Sequence, residues 1–273
     1  MNKMVKTLSA AALVLAMTGC SSSASSASSA ASEASEADHL ARIQEAGVIE
    51  VAVEGTWAPF CYHDENDELV GFDVEVAKEI ASYLGVEAHF NEGDFDGLLT
   101  GVSTGTFDMV TNGVDVTEDR SATFDFTDAY AYDHAVVVTK ADNTDITSFE
   151  DLNGRTTANS AGSTYAAMAE AEGATVNTVP TLGETMELVL NGSVDATINA
   201  NTSVQDYFNT TGTTELKVAA VDEEVTMYAI PLKKGTDNDT LRAAINEAIA
   251  SMRESGKLKE ISEKYFGSDI TAE

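Results

Sequence analysis

Apolar residues of this chain follow two different periods, and their alternation predicts an α/β protein. The run VIEVAV at 48–53 has the length and the β-branched content of a buried strand. Residues 72–84 place an apolar side chain at every fourth position, which predicts a helix that ends at Gly85. A second amphipathic stripe runs through residues 241–252. Strand-like runs that alternate with amphipathic stretches are typical of α/β proteins.

Two segments of the chain share one pattern. Residues 98–112 (LLTGVSTGTFDMVTN) and 185–199 (TMELVLNGSVDATIN) each predict a helix, a glycine stop, an acid and a short buried strand. Without a gap, three pairs of residues coincide: Gly105 with Gly192, Asp108 with Asp195, and Asn112 with Asn199. The repetition predicts two lobes built on the same plan, with a ligand cleft between them.

The segment GVSTG at 101–105 has the G-x-S-x-G form of a nucleophile elbow. That motif requires a strand before it and a helix after it, and here the predicted order is the reverse. We therefore do not expect Ser103 to be a nucleophile. The predicted ligand cleft favours a binding module without chemistry, so we do not expect an enzyme.

The first residues predict a leader. A basic start and a short apolar run precede Cys20, and this arrangement resembles a bacterial lipoprotein signal peptide at 1–19. Cleavage would leave Cys20 as a lipidated N-terminus followed by a Ser/Ala-rich tether over 20–38. The alternative is an ordinary secretion signal with an incidental cysteine. We expect an extracytoplasmic protein anchored by lipid, on the outer face of the cytoplasmic membrane in a host with one membrane.

Composition narrows the classes of partner and cofactor. The formal net charge is −31, so electrostatic repulsion argues against binding to nucleic acid. With Cys20 lipidated, Cys61 has no disulfide partner, and we expect it to be a half-buried strand residue. The four histidines have no metal-ligand spacing and are each expected to be satisfied or at the surface: His39, His63, His89 and His134. We expect no metal and no cofactor.

Eight blocks of sequence resemble one protein family. They occur in the family's order: VIEVAVEGTWAPF (48–60), ELVGFDVEVAKEIASYLGV (68–86), FDGLLTGVSTGTFDMVTNGVDVTEDR (95–120), FDFTDAYAY (124–132), SFEDLNGR (148–155), AGSTYA (161–166), LVLNGSVDA (188–196) and SGKLKEISEKYFGSD (255–269). The family is the extracellular solute-binding proteins of polar amino-acid ABC importers. The stretches EGTWAPF and ISEKYFGSDIT look closest to its cystine-binding branch.

This resemblance implies a fold of two α/β lobes, each a central sheet flanked by helices, joined by two crossover strands. The implied lobes are 39–133 with 226–273, and 134–225. The hinge would lie near Asp133–Val138 and Val225–Ile230. The resemblance also implies a monomer that binds a free L-amino acid and docks on the importer's membrane subunits.

The implied site provides one device for each part of an amino acid. Arg120 would hold the carboxylate, because its planar guanidinium can bind a carboxylate through two hydrogen bonds. The alternative for Arg120 is a surface ion pair with Glu118 or Asp119. The other implied ligand-binding residues are Ser160, Ser163, Thr164 and Asn199 in the second lobe, and the aromatic Trp57 and Phe95 with the acid Glu54 in the first.

One position departs from the family pattern. The family places an aspartate after the second-lobe strand to accept the ligand's ammonium group, and this chain has Ala200 there. Asp115 stands in the first lobe where the family has Ser or Thr. We hypothesise that the counter-charge has moved to Asp115, beside the Gly113 carbonyl, so that Asp115 and Arg120 bind opposite ends of the ligand. The alternative is a one-residue shift that puts an asparagine, Asn199 or Asn201, in the aspartate's place.

These features predict an amino-acid-binding lipoprotein of an ABC importer. The acids of the cleft favour cystine or cysteine first, and a basic or other polar amino acid second. One alternative is an enzyme on the same scaffold, resembling cyclohexadienyl or arogenate dehydratases. Another is a ligand sensor or adhesin.

Overall fold

The computed structural model describes residues 38–272, so the predictions for the signal peptide, Cys20 and most of the tether lie outside them. None of the helices within this range has the length and apolar character needed to cross a bilayer. The helices are α1 (His39–Ala46), α2 (Phe72–Leu84), α3 (Phe95–Thr104), α4 (Glu118–Thr123), α5 (Thr164–Ala171), α6 (Leu182–Leu190), α7 (Asn201–Thr211), α8 (Asp239–Ser255) and α9 (Lys257–Phe266). The strands are β1 (Val48–Val53), β2 (Thr56–Trp57), β3 (Cys61–His63), β4 (Leu69–Val70), β5 (Glu87–Glu92), β6 (Met109–Val110), β7 (Phe124–Phe126), β8 (Ala131–Lys140), β9 (Thr156–Asn159), β10 (Thr175–Thr178), β11 (Ala196–Ala200), β12 (Leu216–Tyr228) and β13 (Pro231–Lys233).

The first lobe is built around a parallel sheet in the order β5–β1–β6. Side chains of β1 and α2 are completely buried in one core, among them Ile49, Val51, Phe72, Val76 and Ile80. Helices α8 and α9 pack against α2 and extend this core. A small antiparallel sheet, β2–β3–β4, lies beside α2.

The second lobe has a five-stranded sheet in the order β10–β9–β11–β8–β12. Strands β9, β10 and β11 are parallel, whereas β8 is antiparallel to both of its neighbours. Helices α5 and α6 pack against the parallel strands. The carboxyl ends of β9 and β11 therefore lie at the same edge of the sheet, as ligand-binding edges do in open α/β sheets.

Two long strands connect the lobes. Strand β8 leaves the first lobe after β7, and β12 returns to it, because β13 pairs with β7. Near the crossing point, β8 and β12 pair through His134 with Val225 and Ala131 with Tyr228. The lobe boundaries proposed from the sequence, 133/134 and 225/226, fall inside these strands, and they stay a prediction.

The elements with the strongest periodicity are confirmed. The predicted strand at 48–53 is β1, and the predicted helix at 72–84 is α2. Gly85 ends that helix with φ of 77°, a left-handed conformation that glycine adopts without a steric penalty. The predicted C-terminal stripe lies on α8, whose buried side chains include Leu241, Ile245 and Met252.

The repeated pattern is also confirmed, and it corresponds to one structural device used twice. In the first lobe, Asp108 Oδ2 accepts from the Glu50 N–H at 2.7 Å, and the Glu50 carbonyl accepts from the Asp108 N–H at 2.9 Å. In the second lobe, Asp195 Oδ2 accepts from the Thr156 N–H at 2.7 Å, and the Thr156 carbonyl accepts from the Asp195 N–H at 2.8 Å. Each aspartate directly precedes one strand and thus joins it to a neighbouring strand, β1 at Glu50 and β9 at Thr156.

Candidate functional site

A cavity lies in the cleft between the two lobes. The first lobe lines it with Glu54, Thr56, Trp57, Phe95, Asn112, Gly113 and Asp115, and the second with Asn159, Ser160, Ser163, Thr164, Tyr165, Thr181, Leu182 and Asn199. A molecule in this cavity would contact both lobes at once.

The loop after β6 places Gly113 and Asp115 at the cavity. It runs beside the end of β12, where Asp115 forms an antiparallel bridge with Tyr228. The Gly113 N–H donates to Asp73 Oδ2 at 2.7 Å. Gly113 has φ of 50°, and a Cβ there would lie 2.5 Å from the Trp57 ring, so only glycine fits.

Asp73 is the buried anchor of this loop. Besides Gly113, it accepts a hydrogen bond from the Tyr130 hydroxyl at 2.7 Å. Burial raises the pKa of Asp73 to about 7, although both hydrogen bonds act to lower it. The conformation of the loop therefore depends on a carboxyl group that lies outside the cavity.

Arg120 and Asp115 bind each other. The Arg120 guanidinium forms an ion pair with Asp115 Oδ1, and the same nitrogen donates to the Asp115 carbonyl at 3.2 Å. The other terminal nitrogen donates to the Gly162 carbonyl of the second lobe at 3.1 Å. The guanidinium carbon is 5.3 Å from the centre of the Phe95 ring. The expected alternative, a surface pair with Glu118 or Asp119, is thus wrong, since the partner is Asp115 and the Arg120 side chain is only 10% exposed.

Trp57 forms an aromatic wall of the cavity. Its ring stacks on Phe60 with centroids 4.2 Å apart and meets Tyr228 edge to face at 6.5 Å. Its indole Nε1 donates across the cleft to Asn199 Oδ1 at 3.2 Å. Together with Phe95, Trp57 provides apolar cover that suits many amino-acid side chains.

Glu54 is held at the cavity by Asn112. Asn112 Nδ2 donates to the Glu54 carboxylate at 2.7 Å, and Asn112 Oδ1 accepts from the Glu54 N–H at 2.8 Å. Burial raises the pKa of Glu54 to about 7, because it outweighs the Asn112 hydrogen bond. Asn112 Oδ1 also accepts from Cys61 Sγ at 2.9 Å. The expectation that Cys61 is half-buried is wrong: it is completely buried, because Phe60 and α2 cover this strand.

The start of α5 forms part of the second-lobe wall, the side of the cavity that the second lobe lines. Ser163 is the N-cap, and its hydroxyl accepts from the Ala166 N–H at 3.1 Å and donates to the Ser160 carbonyl at 2.8 Å. The backbone N–H groups in the first turn of a helix have no intrahelical partner and favour anions. The Tyr165 hydroxyl lies 3.0 Å from the Tyr228 hydroxyl, which ties α5 to β12.

The residues predicted from the sequence come together with two exceptions. Arg120 lies beside the cavity, behind Asp115, and is not among its lining residues. Ala200 is completely buried and does not line the cavity, because it ends β11 beneath the first turn of α7. Sequence reasoning missed six lining residues: Thr56, Asn112, Asn159, Tyr165, Thr181 and Leu182. The repeat gave a usable signal for Asn112, since it pairs that residue with Asn199.

Charge is distributed unequally across the cleft. Glu54 and Asp115 from the first lobe are the charged side chains of the lining, and the second-lobe residues of the lining are all neutral. Among residues 38–272, no group of three or more His, Cys, Asp or Glu residues is placed to hold a metal ion. The first lobe can therefore offer negative charge to a ligand. The second lobe can offer neutral hydrogen-bonding groups and the N-terminus of α5.

Known proteins share this architecture. The sequence model of the bacterial extracellular solute-binding proteins, family 3, matches residues 49–268. The chain belongs to this family. Its two-lobe fold is that of periplasmic binding proteins.

The chain is similar to one curated protein and two solved structures as follows. The L-cystine-binding protein TcyA of Bacillus subtilis (strain 168) is 38% identical over 235 residues, which cover 86% of this chain and 87% of TcyA. A solved structure of an ancestral arginine-binding protein bound to arginine is 34% identical, with a TM-score of 0.75, over 81% of this chain and 99% of that one. The ancestral amino acid-binding protein AncCDT-1, a precursor of cyclohexadienyl dehydratase, is 28% identical, with a TM-score of 0.75, over 84% of this chain and 99% of that one.

Proposed function

We propose that this protein is the substrate-binding component of an ABC importer and that it captures a free L-amino acid in the cleft. The observation that carries the proposal is the pairing of Arg120 with Asp115 at a cavity lined by both lobes. Arg120 also reaches the second lobe at the Gly162 carbonyl. An amino acid is itself a pair of opposite charges, so it can insert into such an ion pair.

In this mode the ligand replaces the Arg120–Asp115 pair. The ligand carboxylate takes the guanidinium, together with the backbone N–H groups at the start of α5 beside Ser163 and Thr164. The ammonium group takes Asp115, with the Gly113 carbonyl as a second acceptor. Both charges of the ligand thereby keep a partner, which offsets the cost of removing them from water.

Ligands with a second positive charge suit this cleft best. Glu54 is an acid that has no basic side chain among its lining neighbours, and Asn112 holds it towards the cavity. Cystine carries two ammonium groups, and a basic amino acid carries a cationic side chain. We rank cystine or cysteine first and basic or other polar amino acids second, an order that the similarity to TcyA and to an arginine-binding protein supports.

The protein would work outside the cytoplasm as a monomer. Lipid on Cys20 would anchor it, and the tether to residue 38 would let the lobes reach the membrane subunits of the importer. Binding would close the cleft by bending of β8 and β12, because the ligand contacts both lobes only when they are close.

A second candidate is a dehydratase on the same scaffold. The observation in its favour is Glu54, since a carboxyl group with a pKa of about 7 can donate a proton near neutral pH. A prephenate-like dicarboxylate, however, would meet the negative charges of Glu54 and Asp115 with Arg120 alone to compensate. The binding function is favoured for this reason.

Thermal denaturation of the full chain with each of the twenty amino acids and cystine tests the proposal. A ligand at a thousand times its Kd adds about 4 kcal/mol to the free energy of unfolding. For a domain of this size that corresponds to a rise in Tm of roughly 8–16 °C. One such rise identifies the ligand. No rise with any amino acid, but one with prephenate or arogenate, would favour the dehydratase instead.

A further inference from the structure

Four buried side-chain atoms among residues 38–272 lack a hydrogen-bond partner: Thr111 Oγ1, Thr157 Oγ1, Asn159 Oδ1 and Ser203 Oγ. Of these, only Asn159 belongs to a residue that lines the cleft cavity. Buried polar atoms are nearly always hydrogen-bonded in native proteins, so an exception at a cavity points to a missing partner.

The orientation of the Asn159 side chain is fixed. Asn159 ends β9 with 2% of its surface exposed, and its Nδ2 donates to the Ile198 carbonyl at 2.7 Å. A carbonyl oxygen can only accept, so the amide NH₂ group must face Ile198. Oδ1 is therefore the atom left free, and it is an acceptor that only a donor can satisfy.

Other acceptors in the second-lobe wall are engaged. Asn199 Oδ1 accepts from Trp57 Nε1 at 3.2 Å and from the Ala200 N–H at 2.9 Å. The hydroxyl of Ser163 accepts from the backbone of α5, and that of Thr181 from the backbone of α6. Asn159 Oδ1 differs from these atoms, because it is a buried acceptor of the wall without a partner.

We propose that Asn159 Oδ1 accepts a hydrogen bond from the α-ammonium group of the bound amino acid and so selects for ligands that carry this group. The inference rests on the proposed function. Of the two α-substituents of an amino acid, only the ammonium donates, and a carboxylate would be repelled by Oδ1. The ammonium has three N–H donors, which matches Asp115 and Gly113 from the first lobe and Asn159 from the second.

Isothermal titration calorimetry with two variants of the full chain tests this role. The probes are L-cystine, with 3,3′-dithiodipropionic acid as its amine-free analogue, and L-arginine, with 5-guanidinopentanoic acid. Asn159→Leu removes the acceptor and should weaken whichever amino acid binds by about 10- to 100-fold, the range for a hydrogen bond to a charged group. The amine-free analogue should lose much less.

Asn159→Asp distinguishes recognition of the ammonium group from support of the fold through the bond to the Ile198 carbonyl. Both variants lose the bond to the Ile198 carbonyl, but aspartate keeps an acceptor and should bind the amino acid within about threefold of wild type, or more tightly. Thr157→Val is the matched control, since it removes an equally buried unpartnered atom from the same strand outside the cavity. It should leave the Kd unchanged.

The outcomes are distinguishable. Equal losses in the Leu and Asp variants, or an Asn159→Leu Kd equal to that of wild type, overturn the role of Asn159 while the binding function stands. A wild-type protein that binds none of the twenty amino acids or cystine overturns the proposed function and this inference with it.

Discussion

The two lobes share a strand-joining device but present opposite chemistry to the cleft. Asp108 and Asp195 make the same backbone contacts at the starts of equivalent strands. At the other end of those strands, the first lobe presents Glu54 and Asp115 to the cavity, with Arg120 behind Asp115, whereas the second presents neutral residues. The difference suggests that the first lobe recognises the charges of the ligand and that the second closes over it with hydrogen bonds.

The largest effect is expected at Arg120, the first-lobe cation that pairs with Asp115 beside the cavity. In the proposed mode, Arg120→Ala removes the partner of the ligand carboxylate and leaves that carboxylate in the cleft without a counter-charge. Breaking a buried pair in this way costs about 3–5 kcal/mol, so the Kd measured by calorimetry should rise from about 100-fold to several thousandfold.

Arg155→Ala is the control for loss of an arginine. Arg155 belongs to the second lobe and forms a long surface contact of 3.6 Å with Asp145. Its replacement should leave the Kd unchanged. If the two variants bind equally well, the assignment of charge recognition to the first lobe is wrong.

Asp115→Asn tests the other pole of the same pair. If Asp115 takes the ammonium, the loss of its charge should weaken binding by about 2–5 kcal/mol, the range for truncation of a desolvated charge pair. Asp119→Asn, an exposed change on the neighbouring helix α4, is the control and should have no effect. An Asp115→Asn Kd within about threefold of wild type would contradict the role of Asp115.

The shared device predicts matched losses of stability. Asp108→Ala and Asp195→Ala each leave a partly buried backbone N–H without its side-chain acceptor, which should lower the free energy of unfolding by about 1–3 kcal/mol. Denaturant titration measures both, and Asp142→Ala, at an exposed position, is the control. A loss in only one lobe would show that the two aspartates, although they match in the sequence repeat, do not contribute equally to the free energy of unfolding.

The loss of stability in Asp108→Ala should depend on pH in a way that the loss in Asp195→Ala does not, because, of the two aspartates, only Asp108 bonds to a histidine. His39 Nε2 bonds to Asp108 at 2.6 Å, and its Nδ1 faces Asn238 Oδ1, whose amide NH₂ group is fixed by the Lys233 carbonyl at 2.6 Å. Both ring nitrogens face acceptors, an arrangement that favours the protonated ring, and the hydrogen bond to Asp108 raises the pKa of His39. The stabilisation is complete below the unfolded pKa of about 6.5 and is lost as pH rises through the folded pKa. Asp108→Ala should therefore cost more than Asp195→Ala at low pH, and the excess should shrink as pH rises.

The smallest effect is expected from the titration of Glu54. Its pKa is raised to about 7, so it is ionised above that pH and protonated below it. A ligand with a permanently charged side chain, such as L-arginine, should bind about tenfold more tightly at pH 8 than at pH 6, because the ionised fraction rises by that factor. Glu54→Gln should abolish this dependence in calorimetric titrations. If the variant keeps the same slope, another group causes it.

Sequence patterns predicted the scaffold better than the cleft. The bounds of α2 follow from a four-residue apolar period and from Gly85, which are local signals. The family pattern identified Trp57, Phe95 and Asp115 as site residues, and all three line the cavity. Asn159 was missed because its side chain acts across β9 and β11, 39 residues apart in sequence. The bond of His39 to Asp108, 69 residues apart, was missed for the same reason.

Fluorescence of Trp57 tests the central claim most directly. It is the only tryptophan of the 273 residues, and its ring forms one wall of the cavity. Titration with the amino acid found by thermal denaturation should change the emission saturably, with the Kd that calorimetry gives, and Arg120→Ala should abolish the change over the same concentrations. Calorimetric binding that leaves the emission unchanged would place the ligand outside the cleft and contradict the account.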